Sequence, residues 1–152
     1  MKYLVVSDSH GLQDELMELI KRHPDMDGYI HCGDSELPEM FLSNYHAVIG
    51  NNDYNGLPAQ IVLNVGNELA LVVHSHRQGY FDRNEQLAYI AKNAGCNYVF
   101  YGHTHVFADV TLNGVRIMNP GSLLRCRDGR GKTYAIFEID ENNKSSFTLL
   151  QY

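Results

Sequence analysis

The chain has 152 residues, of which 44% are hydrophobic and 20% charged, and this composition is typical of one soluble globular domain over residues 1–152. The formal net charge of −6, with no run of Lys or Arg, argues against binding to duplex nucleic acid through phosphate contacts. Three widely spaced cysteines without a CxxC motif, no signal segment and no apolar stretch long enough for a bilayer predict a cytoplasmic protein with reduced thiols and no membrane contact.

The first third of the chain alternates apolar runs of strand type with apolar residues at helical spacing. This βαβ alternation predicts an α/β protein with a parallel sheet that is buried on both faces. Pro38 lies in the first turn of the second predicted helix, where its missing N–H costs little. The predicted elements are a strand at 2–7, a helix at 12–22, a strand at 28–31, a helix at 36–44 and a strand at 45–49.

The remainder of the chain consists mainly of predicted strands in pairs. Gly66-Asn67 and Asn113-Gly114 each separate two strand-like runs and are typical of two-residue hairpin turns. Period-2 alternation in the run before the last turn favours a sheet with one buried face. The predicted elements are strands at 60–65, 68–73, 98–101, 106–111, 115–118, 132–139 and 146–151, and a helix at 83–93.

Side chains that can ligate metals follow five of the predicted strands. Because ligands bind at the carboxyl ends of parallel strands in open α/β sheets, we expect these side chains to lie close together. Asp and Asn are common turn formers, and an isolated His-x-His pair is more often two surface histidines, but turn chemistry does not explain four histidines at strand ends. The residues are Asp8, His10, Asp34, Asn51, His74, His103 and His105.

Five ordered motifs around these residues resemble those of the calcineurin-like metallophosphoesterases, and in particular their small bacterial and archaeal phosphodiesterase branch. The resemblance implies an α/β fold, a four-layer αββα sandwich of two mixed β-sheets flanked by helices. Because related proteins often self-associate, it also favours a homodimer. The motifs are Asp8-x-His10, Gly33-Asp34, Gly50-Asn51-Asn52-Asp53, Val73-His74 and Gly102-His103-Thr104-His105, and Asn119-Pro120-Gly121-Ser122 is also typical of that branch.

The resemblance further implies a site for two divalent transition-metal ions, with Mn favoured and Fe, Ni or Zn as alternatives. Such a pair generates hydroxide near neutral pH and clamps the attacking and leaving oxygens of an in-line displacement. The implied reaction is hydrolysis of a small-molecule phosphoester, with a diester favoured, by metal-bound hydroxide. The implied ligands are Asp8, His10 and His105 for the first ion, Asn51, His74 and His103 for the second, and Asp34 as the bridge.

The candidate catalytic residues depart in part from the family pattern. Much of the family has His where this chain has Asn52, and an amide cannot deliver a proton, so we expect a weaker enzyme or a substrate with a good leaving group. His76 is either a substitute acid or a polar loop residue. Asp53 is expected to orient the loop at 51–52 rather than to bind metal.

Other roles stay open at the level of sequence. Asn119 and Ser122 either donate hydrogen bonds to the site or serve the turn alone. Three arginines are candidates for bidentate binding of phosphate, although a position in a solvated loop without such a role is favoured for each of them. The alternative functions are a protein-interaction scaffold, as in a retromer subunit of this fold with an impaired metal site, and a phosphomonoesterase or nucleotidase. Because all seven ligand positions are competent, the enzyme is favoured. The arginines are Arg77, Arg125 and Arg127.

Overall fold

Ten β-strands, two α-helices and one 3₁₀ helix make up the computed structural model, which describes residues 1–152. Neither α-helix combines the length and the hydropathy needed to cross a bilayer. The elements are, in chain order, β1 (Lys2–Val6), α1 (Gln13–Arg22), β2 (Gly28–His31), the 3₁₀ helix (Glu39–Leu42), β3 (His46–Ala47), β4 (Gln60–Val65), β5 (Glu68–Val73), α2 (Arg83–Asn93), β6 (Tyr98–Tyr101), β7 (Phe107–Leu112), β8 (Val115–Pro120), β9 (Thr133–Ile139) and β10 (Ser145–Gln151).

The strands form two mixed sheets of five strands each. Their order is β10-β9-β1-β2-β3 in the first sheet and β4-β5-β6-β8-β7 in the second. β1, β2 and β3 run parallel to one another, as do β5, β6 and β8, whereas the remaining strands are antiparallel to their neighbours. Each sheet therefore has a parallel set whose carboxyl ends open at one edge, where α/β proteins bind ligands.

Apolar side chains fill the space between the sheets and beneath each helix. Phe100 and Phe137 are fully buried between the two sheets, with their ring centroids 5.0 Å apart. Leu16 and Leu19 of α1 pack against the outer face of the first sheet, and Leu87 of α2 packs against the outer face of the second. The implied four-layer αββα sandwich is therefore confirmed.

The predicted helix at 36–44 is wrong, because only the four-residue 3₁₀ helix forms there. Glu36 holds a left-handed conformation with φ 52°, and its N–H donates to Asp53 Oδ1 at 2.7 Å. The chain before Pro38 is therefore bound into the loops beyond the sheet edge and cannot begin a helix.

The predicted strand at 45–49 shortens to the two residues of β3. The Val48 N–H still donates to His31 O of β2 at 3.2 Å, but the Ile49 N–H donates to Pro58 O at 2.9 Å, outside the sheet. All other predicted elements form, with bounds that differ by no more than two residues. Both Asn-Gly-type hairpins and the final hairpin are antiparallel pairs, as predicted.

Candidate metal centre

Five loops converge beyond the carboxyl ends of β1, β2, β3, β5 and β6. Backbone hydrogen bonds join these loops directly: Asp8 N–H donates to Gly33 O at 3.0 Å, and His10 N–H donates to Asp34 O at 3.1 Å. The loop after β6 joins the one after β5, since Gly102 N–H donates to the His74 carbonyl at 3.3 Å. The side chains that follow the five strands are therefore held in one small volume.

One group of ligand atoms comes from the loops after β1 and β6. Asp8 Oδ1 lies 3.0 Å from His105 Nε2, and His10 Nε2 lies 3.3 Å from the same nitrogen. The three ligand atoms all lie within 4.8 Å of one another. Carboxylate and imidazole donors at this spacing match the ligands that divalent transition metals prefer.

A second group lies next to the first and shares Asp8 with it. His74 Nε2 lies 3.4 Å from Asp34 Oδ2 and 3.9 Å from Asp8 Oδ1. Asn51 Oδ1 lies 3.2 Å from the same His74 nitrogen, and the His103 ring centroid lies 5.2 Å from that of His74. All seven sequence-derived ligand candidates therefore meet in one place, with Asp8 common to both groups and Asp34 in one of them.

The backbone at this site is strained. Non-glycine residues rarely adopt positive φ, yet five of the seven candidate ligands do so, with φ between 43° and 69°. Such strain costs of the order of 1–3 kcal/mol per residue and clusters at functional sites. The five are Asp8, His10, Asp34, His103 and His105.

The buried carboxylates fit a cation better than they fit the protein alone. Asp8 is fully buried, and its Oδ1 makes no hydrogen bond, although its Oδ2 accepts from Ser7 Oγ at 2.6 Å and from His103 N–H at 3.0 Å. A buried carboxylate oxygen without a donor is costly unless a cation lies beside it. The nitrogen and oxygen donors, with no thiolate among them, fit two divalent ions of the Mn, Fe, Ni or Zn type.

Two glycines leave room for these carboxylates. A Cβ on Gly50 would collide with Asp34, and a Cβ on Gly102 would collide with Ser7 Oγ and Asp8 Oδ2. Neither glycine has a positive φ, so close approach explains these positions and backbone freedom does not.

The charged and titratable groups of the site shift one another's pKa values. Burial raises the pKa of Asp34, but His74 and hydrogen bonds from Asn52 outweigh this and lower the pKa well below its ordinary value. Burial lowers the pKa of His74, but the Asp34 and Asp8 carboxylates outweigh it and raise the pKa. Burial and the neighbouring His74 lower the pKa of His103 to about 4, so His103 is neutral near pH 7 and can ligate a metal.

Three of the histidines are oriented by hydrogen bonds at Nδ1, which leave Nε2 facing the site. His10 Nδ1 bonds Glu36 Oε1 at 2.5 Å, His74 Nδ1 donates to the Cys32 carbonyl at 2.7 Å, and His105 Nδ1 donates to the Arg125 carbonyl at 3.3 Å. Such partners fix the tautomer and orientation of metal-ligating histidines. Glu36 was not predicted as a site residue, because an acid two positions before Pro38 is typical of the first turn of a helix.

The three candidate catalytic residues occupy different positions around this centre. Asn52 donates from its backbone N–H to Asp34 Oδ1 at 2.8 Å and from its amide to Asp34 Oδ2 at 2.7 Å. Asp53 accepts backbone N–H bonds from Asp34 and Gly50 at 2.8 and 2.7 Å, so it ties the two loops together. The His76 ring lies 5.5 Å from that of His74, and its Nδ1 is buried without a hydrogen bond.

Asn119 and Ser122 both brace the site loops. Asn119 Nδ2 donates to the Gly102 carbonyl at 3.0 Å and to Thr104 Oγ1 at 3.1 Å. Ser122 Oγ donates to the Asp8 carbonyl at 3.0 Å. The turn therefore positions two ligand-bearing loops through their backbones.

The two mixed sheets and the carboxylate–imidazole centre at their edge are features of the calcineurin-like phosphoesterase family. The chain belongs to this family, since the model of the calcineurin-like phosphoesterase superfamily domain matches residues 1–142. The probable metallophosphoesterase YsnB of Bacillus subtilis is 36% identical over 146 residues, which cover 93% of this chain and 86% of the relative. The resemblance seen in the five motifs is therefore confirmed.

Solved structures share the whole fold. A protein of Streptococcus pneumoniae, described as a predicted phosphoesterase, superposes with a TM-score of 0.85 at 27% identity and covers 98% of this chain and 97% of its own. An archaeal phosphodiesterase superposes with a TM-score of 0.73 at 22% identity and covers 99% of this chain and 100% of its own. The shared architecture thus extends over nearly every residue.

Proposed function

We propose that this protein is a phosphodiesterase that hydrolyses small-molecule phosphate diesters with two divalent metal ions. The convergence of seven candidate nitrogen and oxygen ligands on one partly buried site is the observation that carries the proposal. Membership of a family whose relatives are called probable metallophosphoesterases supports the reaction class.

The residues present fit two neighbouring ions. When bound, the ions acidify water and neutralise negative charge on the phosphate, so that no Ser or Cys nucleophile is needed. Mn²⁺ is the first metal to test, followed by Fe, Ni and Zn. Asp8, His10 and His105 would hold one ion, Asn51, His74 and His103 the other, and Asp34 would lie between them.

The chain's own side chains fix these groups in place. Asn52 bonds both oxygens of Asp34, so its amide holds that carboxylate in one orientation. Glu36 holds the His10 ring with Nε2 towards the centre. Positioning of this kind reduces the reorganisation that the reaction requires.

His76 lies beside His74 and is not a candidate ligand, but it is poorly suited to protonate a leaving group. Burial lowers the pKa of His76, and the neighbouring His74 and Arg77 lower it further, so the ring is neutral near pH 7. A neutral ring at this pH holds a proton to donate only in a small fraction of molecules. This supports a preference for esters whose leaving groups need no proton.

A scaffold role on the same fold explains the site less well. Partner binding does not require a buried Asp8 oxygen without a hydrogen bond, nor left-handed backbone at five candidate ligands. Both features cost stability and are offset when a cation occupies the centre. We therefore favour the enzyme.

The proposal is tested by stripping metals with a chelator, restoring Mn²⁺, and following bis-p-nitrophenyl phosphate and p-nitrophenyl phosphate side by side. We expect turnover to disappear without metal, to return with Mn²⁺, and to be faster on the diester. A faster monoester reaction would assign a phosphomonoesterase or nucleotidase instead. Absence of metal-dependent turnover on both esters would contradict any phosphoesterase function.

A matched pair of variants locates the activity. Asp34→Asn removes a charge from the centre and is expected to lower kcat/KM by about 10²-fold or more. Asp109→Asn removes a carboxylate that pairs with Arg116 at 2.7 Å on β7, away from the centre, and serves as the control with wild-type turnover. Equal activity in the two variants would place the chemistry elsewhere.

A further inference from the structure

A short basic loop lies beside the candidate metal centre. Residues 125–132, which we call the basic loop, contain four of the chain's 12 Lys and Arg residues and one acid, Asp128, in a protein whose net charge is −6. Positive charge is therefore concentrated in this loop, although the protein as a whole is acidic. The four basic residues are Arg125, Arg127, Arg130 and Lys132.

Two of these four side chains already have partners. Arg130 Nε lies 3.1 Å from Asp128 Oδ2, and Lys132 Nζ lies 2.8 Å from Glu15 Oε1. The exposed guanidinium groups of Arg125 and Arg127 have neither an ion pair nor a hydrogen bond. No carboxylate of this chain pairs with either guanidinium group, so both keep their positive charge for a ligand.

The loop is fixed to the centre through one candidate ligand. His105 Nδ1 donates to the Arg125 carbonyl at 3.3 Å, and Arg127 N–H donates to the His105 carbonyl at 2.9 Å. The backbone that carries both free guanidinium groups is therefore held at a set distance from His105. The loop is a built part of the site rather than an independent surface segment.

A cavity of about 380 Å³ is lined by both arginines and by His105 of the centre. It is lined by residues of the basic loop and by His105, and none of the other six candidate ligands lines it. A group in this cavity would lie next to His105 and beyond the two-metal site. It would be a different group from the phosphate that is hydrolysed.

We propose that this cavity binds a second phosphate group of the substrate, with Arg125 and Arg127 as its ligands. The proposal rests on the proposed function and names its substrate class: phosphodiesters that carry a further, terminal phosphate. Guanidinium groups match phosphate oxygens in geometry and keep their charge at any pH that the protein tolerates. Both are free to bind, and both lie beside the centre.

The test compares dinucleotides that differ only in a terminal phosphate. Three dinucleotides with a phosphorothioate linkage, which slows hydrolysis, carry a 5′-phosphate, a 3′-phosphate or hydroxyl groups at both ends. Their dissociation constants for the Mn²⁺-loaded protein are measured by calorimetry. We expect at least one phosphorylated form to bind about tenfold more tightly than the unphosphorylated one, as for one charge-assisted contact.

Variants assign the preference to the two arginines. In Arg125→Gln/Arg127→Gln the ratio of the dissociation constants should fall close to one. Arg130→Gln, in the same loop but already paired with Asp128, should keep the wild-type ratio. Equal affinity of wild-type protein for all three dinucleotides, or a preference that persists in the double variant, would overturn the inference.

Turnover of bis-p-nitrophenyl phosphate by the same preparation separates the two proposals. If the simple diester is hydrolysed but no terminal phosphate improves binding, the second phosphate site is wrong and the phosphodiesterase stands. If neither bis-p-nitrophenyl phosphate nor p-nitrophenyl phosphate is hydrolysed, the phosphodiesterase proposal fails. The ratio of the dissociation constants still reports whether the arginines bind a terminal phosphate.

Discussion

At the scale of single residues, five of the seven candidate ligands combine a position just after a strand with left-handed backbone. Asp8 and His74 follow apolar strands, and strand ends in α/β sheets meet at one edge, so their proximity was predictable from sequence. The left-handed backbone at Asp8 and His10 was not, because local preference disfavours it and tertiary contacts impose it. A sequence pattern reports the local conformational preference of its residues, and contacts at a functional site can override that preference.

Glu36 shows the same limit for supporting residues. Its bond to His10 Nδ1 joins residues 26 positions apart, and nothing in either local motif indicates it. The bond from the Gly50 N–H to Asp53 Oδ2, in contrast, is local, because an acid that follows Asn51-Asn52 in a turn can accept N–H bonds from its own loop. Local hydrogen bonds can be foreseen from sequence, whereas bonds between distant loops require the fold.

Asn52→His tests whether the departure from the family pattern limits catalysis. An imidazole at this position can deliver a proton, and general acid catalysis contributes about 10²–10⁴ in rate. We expect a gain of about tenfold or more in kcat on diesters with alkyl leaving groups, measured with Mn²⁺ present. The gain stays below the full range because the variant also loses the Asn52 amide bond to Asp34.

The control for this prediction is the leaving group itself. Bis-p-nitrophenyl phosphate needs no proton on its leaving group, so the variant should gain nothing on it. A gain on both kinds of ester, or on neither, would contradict the view that position 52 lacks an acid.

At the scale of elements, turn motifs predicted the hairpins better than helical propensity predicted the helix at 36–44. The hairpin turns at Gly66-Asn67 and Asn113-Gly114 were predicted correctly because their positions demand residues that accept positive φ, as Gly66 and Asn113 do. The helix predicted at 36–44 failed because Glu36 and Asp34 are bonded to Asp53, and these bonds outweigh helical propensity. Errors therefore fell on the loops that build the site.

Gly102→Ala tests the close approach between the loops after β1 and β6. The added Cβ would collide with Ser7 Oγ and Asp8 Oδ2 and lie 3.0 Å from the Cys32 carbonyl. We expect the free energy of unfolding to fall by about 1–3 kcal/mol and metal-dependent turnover to be largely lost. Urea unfolding and Mn²⁺ titration measure the two effects.

Gly114→Ala is the matched control for this substitution. Gly114 lies in a hairpin turn at φ 79°, and a Cβ there would meet no atom within 4 Å. This substitution should lower the free energy of unfolding by about 1 kcal/mol, through backbone strain alone, and should leave Mn²⁺ binding unchanged. Loss of metal binding in both variants would show that general destabilisation, and not the crowded site, is responsible.

At the scale of the whole molecule, the sandwich buries polar groups along with its apolar core. His31, on strand β2 between β1 and β3, is fully buried, and its Nδ1 accepts the Gly33 N–H at 3.2 Å. Its Nε2 therefore carries the proton and donates to Ser9 Oγ at 2.9 Å. The neutral ring is satisfied in the folded protein, and a second proton has no acceptor at Nδ1.

Acid should therefore destabilise the fold through His31. Burial lowers the pKa of His31 in the folded protein to about 4, against an ordinary value of 6.5. Because the unfolded chain binds the extra proton first as pH falls, the stability that the neutral ring contributes is complete above pH 6.5 and is lost between 6.5 and 4. Between pH 7 and pH 5 this loss amounts to about 2 kcal/mol.

Urea unfolding of chelator-treated protein at pH 7 and pH 5 measures the effect. His31→Gln can still donate to Ser9 and has no ring to protonate, so its loss of stability between the two pH values should be about 2 kcal/mol smaller than that of wild type. His46→Gln, at an exposed position on the neighbouring strand β3, is the control and should follow wild type. Equal losses in wild type and His31→Gln would mean that the buried imidazole accepts a proton without opening the sandwich.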